Sequence, residues 1–351
     1  MATRRLSKTG SFNLGRQSPK DDVSVLESKY ITMPDVLFTS GFNVLDLEAC
    51  LLSNVIQAIF KRFIVTMDYQ KVSPLALKEF VIDVCDAYQE VPYHNLHHAT
   101  NVLHSTYLLL AKCGLFGKLN QDVLFGVLVA ALVHDVGHPG NNNLFEVNTC
   151  SELAFRYNDM SVLEQHHCSI AFQLIRKHNL NSLLTQEEFI LFRKTIVTCI
   201  LGTDMAHHKA STQNLAAKKV SGFNLDHLDE QISLCKYLLH AVDIGNPICP
   251  PELCEEWARL VSQEFHNQIV KETELGLKPF TSLDISCELS FFSSEIGYIS
   301  HICRSYWKEL ADILPELTDE FNNIDLNLKI FTEKLEEAKK KNLELELEKY
   351  S

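Results

Sequence analysis

Histidines and carboxylates gather in four short clusters, and these carry most of the chemistry open to the chain. They are Tyr93-His94-Asn95-Leu96-His97-His98, His134-Asp135-Val136-Gly137-His138-Pro139-Gly140, Leu163-Glu164-Gln165-His166-His167 and His240-Ala241-Val242-Asp243. Imidazole is a common nitrogen ligand for zinc and the side chain most often used as a general acid. His94 and His98 stand four apart, a spacing that predicts both rings on one helix face, one turn apart. Either one alone reads as an ordinary core or surface histidine. His134 and Asp135 close the apolar run Val123–Val133. Ionisable groups at the end of a buried helix are costly unless they are paired or bound to metal. A merely polar helix end is the plain alternative. Asp243 closes a second apolar segment, Tyr237–Val242, with a local cap or ion pair as its plain alternative. An open catalytic metal site takes nitrogen and oxygen ligands from separate elements and keeps positions for water. Two carboxylates in such a set also suit a second, harder ion such as Mg²⁺ or Mn²⁺. Paired ions about 3.5–4 Å apart are a general device for cleaving phosphate esters. From these residues alone, the chain reads as a metal-dependent hydrolase.

The elements that must position these groups read as helix after helix. Apolar residues recur at helical spacing over Leu45–Phe63, Leu77–Tyr88, Val102–Lys112 and Cys168–Lys177, and strand alternation is nearly absent. Breakers at Ser73-Pro74, Val91-Pro92, Cys113-Gly114 and Pro139-Gly140-Asn141-Asn142-Asn143 separate them. Residues 206–226 are polar without a clear period and read as a loop. Ile330–Tyr350 reads as a highly charged helix with Glu and Lys at i,i+4. The expected organisation is a disordered polar and basic tail over residues 1–25, a catalytic domain over 26–330, and a charged helical extension over 331–351.

The chain has 351 residues, 46% apolar and 22% charged, which is a globular balance. Its net charge of −13 argues against a general nucleic-acid or anionic-membrane surface, which needs a basic patch. An anionic substrate is still allowed, because a bound metal reverses the local field. Eleven cysteines with no CxxC pair read as free thiols of a reducing, cytoplasmic compartment rather than a disulfide framework. The longest apolar run, Val123–Val133, is shorter than the roughly 20 residues of a membrane span, so no transmembrane segment is expected.

Taken in order, the clusters resemble the catalytic domain of the class I 3′,5′-cyclic nucleotide phosphodiesterases. The matching pieces are Y-H-N-x-x-H-A at Tyr93–Ala99, H-D-x-x-H-P-G at His134–Gly140 and S-V-L-E-x-H-H at Ser161–His167. They continue with T-D-M at Thr203–Met205, D-x-x-N-P at Asp243–Pro247 and S-x-x-G-aromatic at Ser294–Tyr298. The resemblance covers about Thr39 to Asp325. It implies an all-α domain of about sixteen helices with a dinuclear metal site. It implies hydrolysis of cyclic nucleotides, cAMP and cGMP both being candidates, to 5′-monophosphates by a hydroxide activated between two metals, which terminates signalling. Zinc would be held by His98, His134, Asp135 and Asp243, and Asp135 would bridge to magnesium or manganese. His94 would take the place of the general acid, held by Glu264. His138, Glu164, His167 and Asp204 would stand around the ions, holding waters or orienting ligands.

The nucleotide pocket implied by the resemblance is built from Tyr93, Met205, Asn246, Val261, Phe265, Glu295 and Tyr298, with inhibitors expected in the same place and oligomeric assembly left open. Tyr298 stands where the family usually carries Phe, with Val261 and Phe265 forming the opposite wall. Glu295 stands where a Gln is expected, and an ionised carboxylate only accepts where an amide both donates and accepts. Asn101 and Gly137 depart from positions that often carry Asp. Two other readings share some of these features. Another HD-type phosphohydrolase leaves the Ser294–Tyr298 segment unexplained. A degenerate domain that binds but does not cleave draws its support from Glu295.

Overall fold

The computed structural model describes residues 36–39 and 41–348. The expected tail over residues 1–25 lies outside them. The chain divides into two compact units, Met1–Phe42 and Asn43–Ser351. In the first, the described residues form a 3₁₀ turn at Val36–Phe38. In the second, the described residues form α-helices joined by short 3₁₀ turns and one π-helical turn at Ile299–Cys303, and no strand, as the all-α expectation has it.

Several helices begin where a side chain can satisfy their free amides. Ser73 caps α2 (Pro74–Ala87) through Ala76 N–H, with Pro74 in the first turn. Asn95 caps α3 (Leu96–Lys112), Asn120 caps α4 (Gln121–Val133), and Thr185 forms a capping box with Glu188 ahead of α8 (Gln186–Leu201). Helix α1 (Ala49–Met67) is long and apolar enough to cross a membrane, although no such segment was expected. Its Leu52, Val55, Ile56, Ile59, Phe60 and Phe63 face is buried in protein.

Helix α4 is the axis of the core. All its residues from Asp122 to Val133 are buried, because an apolar surface on every side must be covered on every side. It packs against α3, α8 and α10 (Leu228–Asp243). Phe125 lies between the rings of Phe63 and Phe192, at 6.1 and 5.3 Å. A Cβ at Gly126 would lie 2.9 Å from Thr195 Cβ, so α8 sits against bare backbone there. The start of α3, the end of α4 and the end of α10 are thereby brought together.

Two expectations are corrected. Residues 206–226 are not a loop: His208–Ser221 is a helix, α9, packed on α13 (Arg304–Ile313). It buries only His208, Ser211 and Leu215, a stripe with one aliphatic residue, so its period was invisible in hydropathy. The terminal helix also begins earlier than expected. Helix α14 runs unbroken from Thr318 to Glu348, and Phe331 is buried on the body of the domain.

Candidate active site

Four side chains from three helix ends meet at one point. His98 lies in the first turn of α3, His134 caps the end of α4 with Asp135 after it, and Asp243 is the last residue of α10. Nε2 of His98 and of His134 each lie 3.1 Å from Asp243 Oδ1 and 3.3 Å from one another. Asp135 Oδ2 lies 3.1 Å from His134 Nε2 and 3.5 Å from His98 Nε2. His134 Nδ1 donates to Ala131 O at 3.0 Å, which fixes its tautomer and leaves Nε2 to the cluster. Asp135 Oδ2 is buried and makes no hydrogen bond within the described structure.

The electrostatics ask for positive charge at this point. Burial opposes a charged His134 ring, but Asp135 and Asp243 overcome it and hold the ring's affinity for a proton well above normal. Burial likewise opposes the Asp135 and Asp243 anions, and His134 more than compensates. His98 is pushed down by burial. A divalent cation would replace the shared proton and find two imidazole nitrogens and two carboxylates already converged, a donor set that suits zinc. Asp135 also belongs to a second group, with His138 and His167. His167 Nδ1 donates to Val136 O at 2.9 Å, and its Nε2 lies 3.7 Å from Asp135 Oδ1. One carboxylate therefore serves two neighbouring groups of ligand atoms, the arrangement a metal pair requires.

His94 is not on the helix face predicted for it. Asn95 Oδ1 accepts from His97 N–H and His98 N–H, so α3 starts after the cap and leaves His94 outside. Its ring stacks on His138 with centroids 4.1 Å apart and stands nearly perpendicular to His98. His94 Nδ1 lies 2.5 Å from Glu264 Oε1, and Glu264 Oε2 accepts from the backbone of Tyr93 and His94 at 2.9 and 3.0 Å. Burial opposes the charged ring, yet Glu264 raises its pKa to about 9. The same pair, working against burial, lowers Glu264 to about 2. The His94 side chain keeps 24% of its surface exposed against 3% for Glu264, so the free edge of a protonated ring can meet a ligand.

Around this centre, Glu164 is pushed up to about 7 by burial and then by the Asp204 charge. Asn143 Nδ2 donates to both its oxygens, at 3.2 and 3.0 Å. Asp204 accepts from Ser161 Oγ at 2.7 Å and from Ala206 N–H at 2.8 Å. Gly137 has φ +79°, and a Cβ there would lie 2.5 Å from Ile170 Cδ1. Glycine suits this turn without strain, and a side chain there would have to displace the tip of Ile170. Asn101 is half-buried on α3.

The other residues expected around a nucleotide are spread over five segments of the chain. Tyr93 OH and the Asn246 side chain are within 3.2 Å of one another. Tyr298, at the end of α12 (Glu288–Tyr298), donates to Ile244 O at 3.0 Å, next to Asp243. Glu295, one turn earlier, is buried and makes no hydrogen bond to another described side chain, and burial pushes its pKa up to about 8. Val261 and Phe265 lie i,i+4 on α11 (Pro251–Glu274), flanking Glu264. Met205 is half-exposed at the head of a 3₁₀ turn. Among the described residues no ring contact joins Tyr298 to Phe265, and Phe265 meets Phe280 edge-on at 5.2 Å. Sequence reasoning missed Phe280, Asn143, and Gln268 with Glu272. The last two repeat the spacing of Glu264 by four and eight, a signal that was readable. His97 and His240 turn away, the first to Leu47 O and the second to His208.

The family model described as 3′5′-cyclic nucleotide phosphodiesterase matches residues 93–324. A probable 3′,5′-cyclic-AMP phosphodiesterase of Caenorhabditis elegans is 31% identical over 74% of this chain and 40% of its own length. The human high affinity cGMP-specific 3′,5′-cyclic phosphodiesterase 9A is 31% identical over 70% of this chain and 41% of its own length. The crystal structure of the phosphodiesterase domain of a rhodopsin phosphodiesterase fusion protein from the choanoflagellate Salpingoeca rosetta superposes with a TM-score of 0.81. That domain is 32% identical, and the match covers 90% of this chain and 99% of the domain. The chain spans less than half the length of these two curated relatives.

Proposed function

Because this chain belongs to the 3′5′-cyclic nucleotide phosphodiesterase family, we propose that it hydrolyses 3′,5′-cyclic nucleotides to 5′-monophosphates and so ends cyclic-nucleotide signals. The observation that carries this reading is the meeting of His98, His134, Asp135 and Asp243 beside a histidine held protonated by Glu264. In this reading the four residues hold zinc, and Asp135, with His138 and His167 near it, also serves magnesium or manganese. When bound, the ions supply a nucleophile at neutral pH and neutralise charge on the phosphate.

The chain's own residues do the rest. Glu264 accepts a hydrogen bond from Nδ1–H of the charged His94 ring and orients it, leaving Nε2–H free to protonate the leaving O3′. With a pKa of about 9, the ring is charged across the neutral range. Asn143 holds Glu164, and Ser161 holds Asp204, at the rim of the ion site. Tyr298, Val261 and Phe265 offer flat and apolar surface to a purine. Glu295 reads its edge, and as a neutral acid it regains the donor that a Gln would supply. This last point weighs against a domain that only binds. Relatives of both specificities are similar to this chain, so cAMP and cGMP both stand as substrates. The reading places the chain in the cytoplasm, in keeping with eleven free thiols.

Initial rates on cAMP, cGMP and a linear nucleoside triphosphate, with Mg²⁺ or Mn²⁺ and again with chelator, test the proposal. Metal-dependent release of 5′-monophosphate from a cyclic substrate supports it. Cleavage of the linear nucleotide alone, or binding of a cyclic nucleotide without product, overturns it.

A further inference from the structure

Helix α11 carries three buried polar residues on one stripe, Glu264, Gln268 and Glu272, only 3%, 1% and 1% exposed. Each holds a different loop. Glu264 holds Tyr93 and His94, as described, and its carboxyl carbon lies 3.7 Å from the position a Cβ would take at Gly140. Gln268 Oε1 accepts from Asn142 N–H at 2.8 Å, and its Nε2 donates to Asn142 Oδ1 at 3.1 Å and to Glu272 Oε1 at 2.8 Å. Glu272 Oε2 accepts from Phe280 N–H at 2.9 Å. Asn142 caps α5 (Asn143–Asn148), whose first residue holds Glu164. Phe280 is the residue packed edge-on against Phe265.

We propose that Gln268 and Glu272 are positioning residues of this site, acting as two further rungs of the support that Glu264 begins. The proposal rests on the function given above. Gln268 sets the turn between His138 and Asn143, and Glu272 sets the segment that seats Phe280 on Phe265. The donor pattern along the stripe has one consistent solution. The carboxylate of Glu272 accepts at both ends, while the amide of Gln268 accepts from Asn142 N–H and donates twice. Such a network is fully satisfied, and breaking one rung leaves a buried group unpaired. A rigid helix thereby gives three otherwise separate loops a common reference, which precise placement of reacting groups demands.

The test uses the wild-type chain, Glu272→Gln, Gln268→Glu and the double exchange. In Glu272→Gln an amide must offer a donor to a donor at one end. In Gln268→Glu two carboxylates face one another. The double exchange restores an acceptor for Phe280 N–H, an acceptor for Asn142 N–H and a donor between positions 272 and 268, and leaves unmade only the bond to Asn142 Oδ1. We expect Glu272→Gln to speed amide hydrogen exchange at Phe280 and to raise KM for cyclic nucleotide roughly 3- to 10-fold, the factor for one lost hydrogen bond, with kcat within about twofold. Gln268→Glu should lower kcat roughly 10- to 100-fold, the range for losing a residue that supports metal ligands. The double exchange should recover most of the Glu272→Gln loss and part of the Gln268→Glu loss, because Asn142 Oδ1 still lacks its donor. Unchanged KM and unchanged exchange at Phe280 in Glu272→Gln, or a double exchange no better than its worse parent, would overturn the proposal. If the wild-type chain cleaves neither cyclic nucleotide, the function fails on its own, and the exchange rates at Asn142 and Phe280 still decide the stripe.

Discussion

A carboxyl group at position 295 changes its charge state with its surroundings in the proposed pocket. Burial alone raises its pKa to about 8 from an ordinary 4.5, so it is mostly neutral at pH 7 and able to donate. KM for cyclic nucleotide is expected to worsen as pH rises through about 8 in the wild-type chain. In Glu295→Gln that dependence should vanish, and at pH 9 kcat/KM should exceed the wild-type value by roughly 5-fold or more. Rates measured from pH 6 to 9.5 on both chains check this. A stability effect of the same sign follows by linkage. The folded chain holds this proton more tightly than the unfolded chain, so stability present below pH 4.5 is lost as pH rises to about 8. Glu295→Gln should therefore leave the melting temperature near pH 4.5 almost unchanged and raise it at pH 8.5, by the equivalent of roughly 4 kcal/mol. His94 differs in kind, since its partner and not its burial decides its charge. His94→Ala should lower kcat by roughly 10²–10⁴ with bound metal retained, as metal analysis of the purified variant would show. Metal lost in step with activity would make His94 a ligand instead.

Helices reach this site through their ends, and their bodies bear the cost of holding those ends together. The α4 axis is the clearest case. It is apolar all round and ends on His134, so its covering by α3, α8 and α10 is also what aims the imidazole. The contact at Gly126 admits no side chain without moving Thr195. Gly126→Val is expected to cost about 2 kcal/mol or more through overpacking, readable as a fall in denaturant midpoint at constant slope. Capping matters as much as packing. Asn95 stops α3 one residue short of His94 and so releases that ring to Glu264. Histidine spacing by itself pointed to a shared helix face, and a cap read from Tyr93-His94-Asn95 would have corrected it. Helix α9 escaped notice for the opposite reason, because its buried stripe holds one leucine among polar residues and gains its order from α13.

Across the whole chain, folding and metal binding are expected to be linked. One buried and one half-buried carboxylate, with two buried imidazoles at the same point, stabilise the fold best around a cation, and a ligand at 100 times its Kd adds about 2.7 kcal/mol. Zinc should raise the melting temperature of chelator-treated chain at pH 8. It should do so less at pH 5.5, where the higher proton concentration competes more strongly with the ion for the His134 ring. Asp243→Ala should abolish the shift, and a thermal melt with and without zinc at the two pH values checks both statements. The sequence by itself determined the all-helical class, the family and the residues with metal-binding chemistry, because motif spacing, helical period and residue type are local properties that any chain displays in its order. Only the tertiary structure decided which of these groups meet. His98 and Asp243 lie 145 positions apart, and His94 and Glu264 lie 170 apart. It also decided what charge they carry, since the pKa of about 9 at His94 and of about 8 at Glu295 come from a partner and from burial. The support from Gln268 and Glu272, and the seat of Phe280, depended on the same thing. They arise where a straight helix passes three loops, and no stretch of sequence contains both sides of those contacts.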